Sequence, residues 1–342
     1  MDFLILRLTL SSAVVIAHFH VLTGTAVPWF GFMSSTIAVQ AFFVVSGWIV
    51  TASYMSSSSA TGFYIRRAAR LYPLYALVVV MQAVGVLLVT EGGGDVVAEL
   101  IRYLGANLTF ANFAKPTLLG FLGQSSTATI NPSLWTLKIE VLFYLTLPLY
   151  VALTRRFGWL ALLGMYAASI VFATAIEPYS HELAKQLPGQ LRFFVAGMVC
   201  QRLIANVGWA GISRAVVFVA GALGYVLAHC FEGSLYASAL QPVFVAAFVA
   251  ASTRLIPSAG NFPDISYGVY LIHSPLIQFS KDQGWLAYSG GGLAAIFLCT
   301  VALSLLAHHF VEQPAIRWGR LWSDRQSGAG HGGALLDSAK PS

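Results

Sequence analysis

Ionisable side chains are scarce in this sequence, and several stand where only chemistry or a partner accounts for them. His18 lies well inside the first long apolar run, and an ionisable group at such depth is a functional hypothesis by default. Arg7 precedes it by 11 residues, three helical turns plus roughly 20°, so the two share a helix face with Ser11 and Val14. Such a stripe can line a polar cavity; equally, His18 can be a packed histidine bonded to a neighbouring helix. His20 points to another face and reads as structural or interfacial. Glu140, within SLWTLKIEVLFY, sits about two turns, roughly 9 Å, into a later apolar run. A lone carboxylate at that depth needs a partner. Lys138 faces elsewhere, so the partner expected is His18 or an arginine of another helix, unless the pair merely orients helices.

A third feature is the stretch FYIRRAARLYPLY, which delivers Arg66, Arg67 and Arg70 from a Ser-rich loop between two apolar runs. Positive-inside anchoring is one reading. The density of the cluster, and the i, i+3 spacing of Arg67 and Arg70, suit a phosphate-bearing ligand, because guanidinium makes forked, charge-assisted bonds to phosphate oxygens. His273 in SYGVYLIHSP reads as structural, and His308, His309 and Glu312 in AHHFVEQP read as interface anchors. Cys200, Cys230 and Cys299 lie far apart in apolar runs, which gives buried structural thiols and no disulfide framework. HExxH, GxSxG, P-loop and dinucleotide signatures are absent, so neither a metal nor a tightly bound cofactor is expected.

These residues must be positioned by elements that tolerate lipid. Of 342 residues, 57% are hydrophobic and 9% are charged, against about 25% charged in soluble domains. The net charge of +6 is scattered over segment ends without a basic stripe, which excludes a nucleic-acid partner and leaves the lipid bilayer. Runs long enough to span lie at roughly 8–27, 36–54, 71–90, 134–153, 158–176, 191–208, 212–230, 235–253, 265–281 and 291–312. With the N-terminus inside, 13 of the 19 Lys and Arg residues fall on the cytoplasmic side. The expectation is an all-α integral membrane protein of about ten transmembrane helices, both termini cytoplasmic. The acidic second residue argues against a cleaved signal peptide, so the first span is expected to be retained.

A membrane domain is expected over 1–320, followed by a disordered cytoplasmic tail over 321–342, rich in Gly, Ser and Ala. The one long loop, Glu91 to Asn131, is placed outside as a connector or acceptor-side element. It contains a formal glycosylation sequon at Asn107-Leu-Thr. No internal repeat is visible, which disfavours a repeat-built transporter.

Taken in order, these segments resemble the membrane-bound acyltransferase 3 family, integral-membrane O-acyltransferases of sugars, peptidoglycan and macrolides. LRLTLSSAVVIAHFH is similar to the family's opening segment, FFVVSGWIV to its FFVLSGFLI, and FYIRRAARLYPLY to its arginine motif. SLWTLKIEVLFYLTLP is similar to its SLWSLSVEEQFYLLWP, and SYGVYLIHSP and FVEQP to its closing segments. The match covers roughly Arg7 to Pro314. The family's second glutamate and following Gln are Val141 and Leu142 here, and Lys138 replaces a small polar residue, so Glu140 alone can fill the acidic role. The resemblance is to the stand-alone members, which lack an appended hydrolase-like domain.

The resemblance implies a ten-helix enzyme that takes an acyl group from a cytoplasmic donor, acyl-CoA and usually acetyl-CoA. It implies a hydroxyl acceptor such as an exopolysaccharide, a lipo-oligosaccharide or a lipid-linked sugar. It maps the essential histidine onto His18, the RxxR pair onto Arg67 and Arg70, and the acidic residue onto Glu140. His18 is then the candidate base, with Glu140 orienting it as the third group of a triad does. Arg67 and Arg70, with Arg66 and Arg7, would hold the CoA phosphates. The alternative from another class is a proton-coupled transporter or flippase of a lipid-linked sugar, with Arg7, His18 and Glu140 as the relay. The sequence leaves the oligomeric state open.

Overall fold

The computed structural model describes residues 3–26, 34–89, 94–118, 129–208, 212–232, 237–285 and 290–337, and among them the chain is helical without a β-strand. The helices are α1 (Leu4–Thr23), α2 (Ser35–Met55), α3 (Ala60–Val89), α4 (Gly94–Leu108), α5 (Leu134–Phe157) and α6 (Trp159–Ile176). They continue with α7 (His181–Ala184), α8 (Leu187–Val207), α9 (Arg214–Cys230), α10 (Ala237–Leu255), α11 (Ser266–Asp282) and α12 (Gly290–Ala307). A π-helical turn, His308–Glu312, joins α12 to α13 (Gln313–Asp337).

All ten expected spans coincide with helices. Seven of these helices are long and apolar enough to cross a membrane: α1, α2, α3, α5, α6, α10 and the continuous run from α12 into α13. The other three fall short for identifiable reasons. Helices α9 and α11 have 17 residues each, and α8 and α11 carry Gln190, Arg192, His273 and Gln278, all buried. Polar side chains are tolerated there because they face other helices, where partners replace water. The lipid-facing role falls to helices such as α6, which buries only Leu162, Ser169 and Ala173 and exposes Leu160, Leu163 and Val171. The chain is a multi-pass membrane protein.

Helix α2 is the centre of the bundle, packing on α8, α1, α10 and α5. Its crossing with α8 depends on two small residues. A Cβ on Gly47 would lie 2.1 Å from the Phe194 carbonyl oxygen, and one on Gly197 would lie 2.0 Å from that of Val44. Only glycine permits backbones this close, as in small-residue helix contacts within membranes. The glycine of the VSGW stretch is therefore a packing residue, and it sets the depth of its neighbour Ser46.

Several expectations are corrected. The arginine cluster is helical: α3 begins at Ala60, where Ser59 Oγ accepts from the Gly62 amide at 3.0 Å. The Glu91–Asn131 loop contains α4, tied to α3 by Tyr75 Oη donating to the Asn107 carbonyl at 2.6 Å and by Tyr103 Oη donating to Gln82 Oε1 at 2.5 Å. Asn107 is buried and its amide donates to the Tyr103 and Lys115 carbonyls, so the sequon is not an accessible acceptor. Residues 119–128, with most of QSSTAT, lie outside the described residues.

Helix α13 spans Gln313–Asp337. Trp318 and Trp322 stack one turn apart on it, and Ser323 is fully buried against α3, where Arg66 donates to its hydroxyl. Cys230 and Cys299 are exposed, and Cys200 is partly buried against the main core.

Candidate active site

A cavity of about 100 Å³ lies among α1, α2, α3, α5 and α11. Three arginines reach it, Arg7 from α1 and Arg67 and Arg70 from one face of α3, opposite Ser46 on α2 and Glu140 and Tyr144 on α5. Thr136 and Tyr270 line it as well. Arg66 faces the other way, donating to Ser57 Oγ at 2.5 Å and to Ser323, so it belongs to the α3–α13 contact rather than to the cavity.

The cavity's arginines are held by a residue that sequence reasoning missed. Arg7 Nη1 and Arg70 Nη2 both donate to Asp264 Oδ2, at 2.5 Å and 2.6 Å. Asp264 precedes α11, and its other oxygen accepts from the Ser266 hydroxyl at 2.6 Å. Burial by itself would push its carboxyl up. The Arg7 and Arg70 guanidiniums, with the Ser266 and Arg70 hydrogen bonds, hold it well below the usual carboxylate range. Arg67 is less committed. Its Nη2 donates to Ser53 Oγ at 3.1 Å, its guanidinium lies 5.8 Å from the Phe63 ring centroid, and its buried Nε finds no partner among the described residues.

Glu140 stands beside this array. Its Oε1 accepts from Ser46 Oγ at 2.9 Å and from the Tyr144 hydroxyl one turn further along α5. Neither partner is His18, so the expected triad contact between Glu140 and His18 does not form. The reason is register: Glu140 lies seven residues beyond Ser133, about 10 Å along α5, whereas Ser133 marks the level of His18.

His18 lies about 16 Å along α1 from Arg7 and meets α11. Its Nδ1 is 2.9 Å from His273 Nε2 and 3.1 Å from Ser274 Oγ, and the two imidazole centroids are 5.0 Å apart. Ser274 Oγ is in turn 3.2 Å from Ser133 Oγ. This polar cluster adjoins the cavity through Tyr270, whose ring packs edge-on to His273 and whose hydroxyl meets Thr136 Oγ1 at 2.8 Å. His273, read from the sequence as structural, is thus the direct partner of His18. A signal was present: with α1 and α11 side by side, SYGVYLIHSP puts its histidine about two and a half turns up from the Asp264 end, close to the three-turn depth of His18 above Arg7.

His308 and Glu312, expected as interface anchors, are buried, with Nδ1 and Oε2 3.6 Å apart. They sit on the π-turn, which rotates the helix so that both face inward. His20 is exposed and hydrogen-bonds the Thr25 carbonyl at 2.6 Å, at the end of α1.

Residues 3–309 match the sequence model of a family described as an acyltransferase domain. The chain is 27% identical to nodulation protein 10 of Rhizobium leguminosarum bv. viciae over 92% of this chain and 93% of that protein. It is 24% identical to the exopolysaccharide production protein ExoZ of Rhizobium meliloti, over 84% of this chain and 92% of that one. It is 26% identical to the O-acetyl transferase of Shigella phage Sf6, over 80% and 83% respectively. No solved structure matches.

Proposed function

The chain belongs to the acyltransferase 3 family of membrane-bound acyltransferases, and from that premise we propose that it moves an acetyl group from cytoplasmic acetyl-CoA to a carbohydrate hydroxyl. The observation that carries this reading is the pairing of an arginine-lined cavity with a histidine cluster at its far end. Three guanidiniums of which one has a free buried Nε suit the phosphates of a CoA donor. The names of two relatives, an exopolysaccharide production protein and an O-acetyl transferase, support a carbohydrate acceptor and an acetyl donor.

In this mechanism the donor enters from the cytoplasm with its phosphates on Arg67 and Arg70, and the thioester points along the cavity towards Tyr270. The acceptor oxygen attacks the thioester carbonyl carbon while its proton passes to His18. The C–S bond breaks as the tetrahedral intermediate collapses, and His18 returns the proton to the departing CoA sulfur. No acyl-enzyme is needed. Glu140 balances the charge of the arginine wall rather than orienting the base, because Ser46 and Tyr144 hold it there.

The test is transfer from radiolabelled acetyl-CoA to a panel of hydroxyl acceptors by purified protein in nanodiscs, without a proton gradient. Label on an acceptor, lost in His18→Ala at unchanged expression, is the expected result. Gradient-dependent sugar movement with no label transferred would favour the transporter alternative.

A further inference from the structure

The His18 side chain makes its hydrogen bonds, among the described residues, through one ring nitrogen, Nδ1. What that nitrogen carries follows from the next residue along. His273 Nδ1 lies 2.9 Å from the Val269 carbonyl oxygen, which can only accept, so His273 Nδ1 bears a hydrogen. If His273 Nε2 bore one too, the ring would be an imidazolium. His273 has no exposed surface, and among the described residues its polar and aromatic partners are His18, Ser274, Tyr270 and a backbone carbonyl, with no carboxylate in contact. A buried cation without a counter-charge is costly. His273 Nε2 is therefore an acceptor, and the hydrogen in the 2.9 Å contact belongs to His18 Nδ1. Ser274 Oγ, 3.1 Å from the same atom, can share that hydrogen while its own goes to His273 or Ser133.

We propose that His273 is the positioning residue of His18, fixing it as the Nδ1–H tautomer so that Nε2 is the lone pair that takes the acceptor's proton. A chain running from the Val269 carbonyl through His273 to His18 replaces the carboxylate of a conventional triad, and it ends on a rigid helix backbone. Its place is set by α1 lying against α11, the same packing that brings Arg7 to Asp264. A neutral imidazole as third group orients the base without adding negative charge beside an incoming acyl donor. The inference rests on the reading of His18 as base, but the tautomer itself does not.

The experiment is ¹⁵N NMR of histidine-labelled protein in nanodiscs, with the His18 signals among the eight histidines assigned by difference from His18→Ala. Wild type is expected to show His18 protonated on Nδ1 and bare on Nε2. In His273→Phe that preference should vanish, with kcat down on the order of 100-fold and the KM for acetyl-CoA within about twofold. His273→Gln keeps an acceptor in place of Nε2 and should recover at least tenfold of the loss. Wild-type His18 protonated on Nε2 would overturn the proposal, as would undiminished kcat in His273→Phe. Should His273→Phe not fold, the wild-type spectrum and the Gln variant decide the question. If His18→Ala stays active while the tautomer is as stated, the base assignment fails and the geometry stands.

Discussion

Arg70 and Asp264 are 194 residues apart in sequence and 2.6 Å apart in space, and Arg7 shares the same carboxylate oxygen. Two guanidiniums on one carboxylate make Asp264 the hub that aims the cavity's cations. Asp264→Asn leaves both arginines short of their counter-charge. The expected outcome is a loss of about 2 kcal/mol of stability, moderated by the partial exposure of all three side chains, and about tenfold weaker acetyl-CoA binding. Thermal melting and donor titration measure the two effects. The pH dependence has a definite sign. Asp264 is held below its unfolded pKa, so its stabilisation is complete above about pH 4 and is lost only as pH falls further, through the depressed folded value. Melting temperatures between pH 5 and 9 should not vary through this group.

Arg66 and Arg67 are neighbours with separate duties. Arg67→Ala removes the guanidinium with the free Nε from the cavity, so donor affinity should fall on the order of tenfold or more. Arg66→Ala cuts its bonds to Ser57 and Ser323, loosening α13 from α3. It should lower the melting temperature and leave acetyl-CoA affinity within about twofold. Equal affinity losses in the two variants would contradict the division.

Gly47→Ala adds one methyl group where the Phe194 carbonyl oxygen stands at 2.1 Å. A backbone atom cannot rotate away, so α2 and α8 must separate. Overpacking of this kind typically costs 1–3 kcal/mol. The melting temperature should fall, and activity should fall with it because Ser46, the next residue, carries a hydrogen bond to Glu140. Gly105, where nothing lies within 4 Å of an added Cβ, is the control: Gly105→Ala should be neutral or slightly stabilising.

Much of this arrangement was legible from periodicity. Apolar runs located ten helices, seven of them long and apolar enough to cross a bilayer. The 11-residue interval of Arg7 and His18 placed both on one face, and the i, i+3 interval of Arg67 and Arg70 brought both to the cavity while turning Arg66 away. Pairing across the chain was not legible. Glu140 on α5 lacked a partner in the sequence, and His18 was as good a candidate as any arginine. Only the relative depth of α1 and α5 sends it to Ser46 and Tyr144 instead. Asp264 was missed because it sits in a loop before a helix, where an aspartate ordinarily needs no explanation. Helix α4 was missed because its amphipathic pattern was read together with the polar residues that flank it.

Glu140 offers a test that separates the geometry seen from the triad expected of it. Glu140→Gln preserves the acceptor for Ser46 and Tyr144 and removes only the charge. If Glu140 acted on His18, the variant would lose kcat and keep its donor affinity, because the base alone would suffer. Its place in the arginine-lined cavity gives the opposite expectation. A guanidinium wall with one counter-charge fewer should bind the polyanionic donor differently, so the KM for acetyl-CoA should move severalfold while the His18 ¹⁵N spectrum stays as in wild type. Tyr144→Phe, which removes one donor, should cost about 1 kcal/mol and shift the same KM in the same direction. Steady-state kinetics over a range of acetyl-CoA concentrations resolves kcat from KM, and an unchanged KM in both variants would return Glu140 to the base.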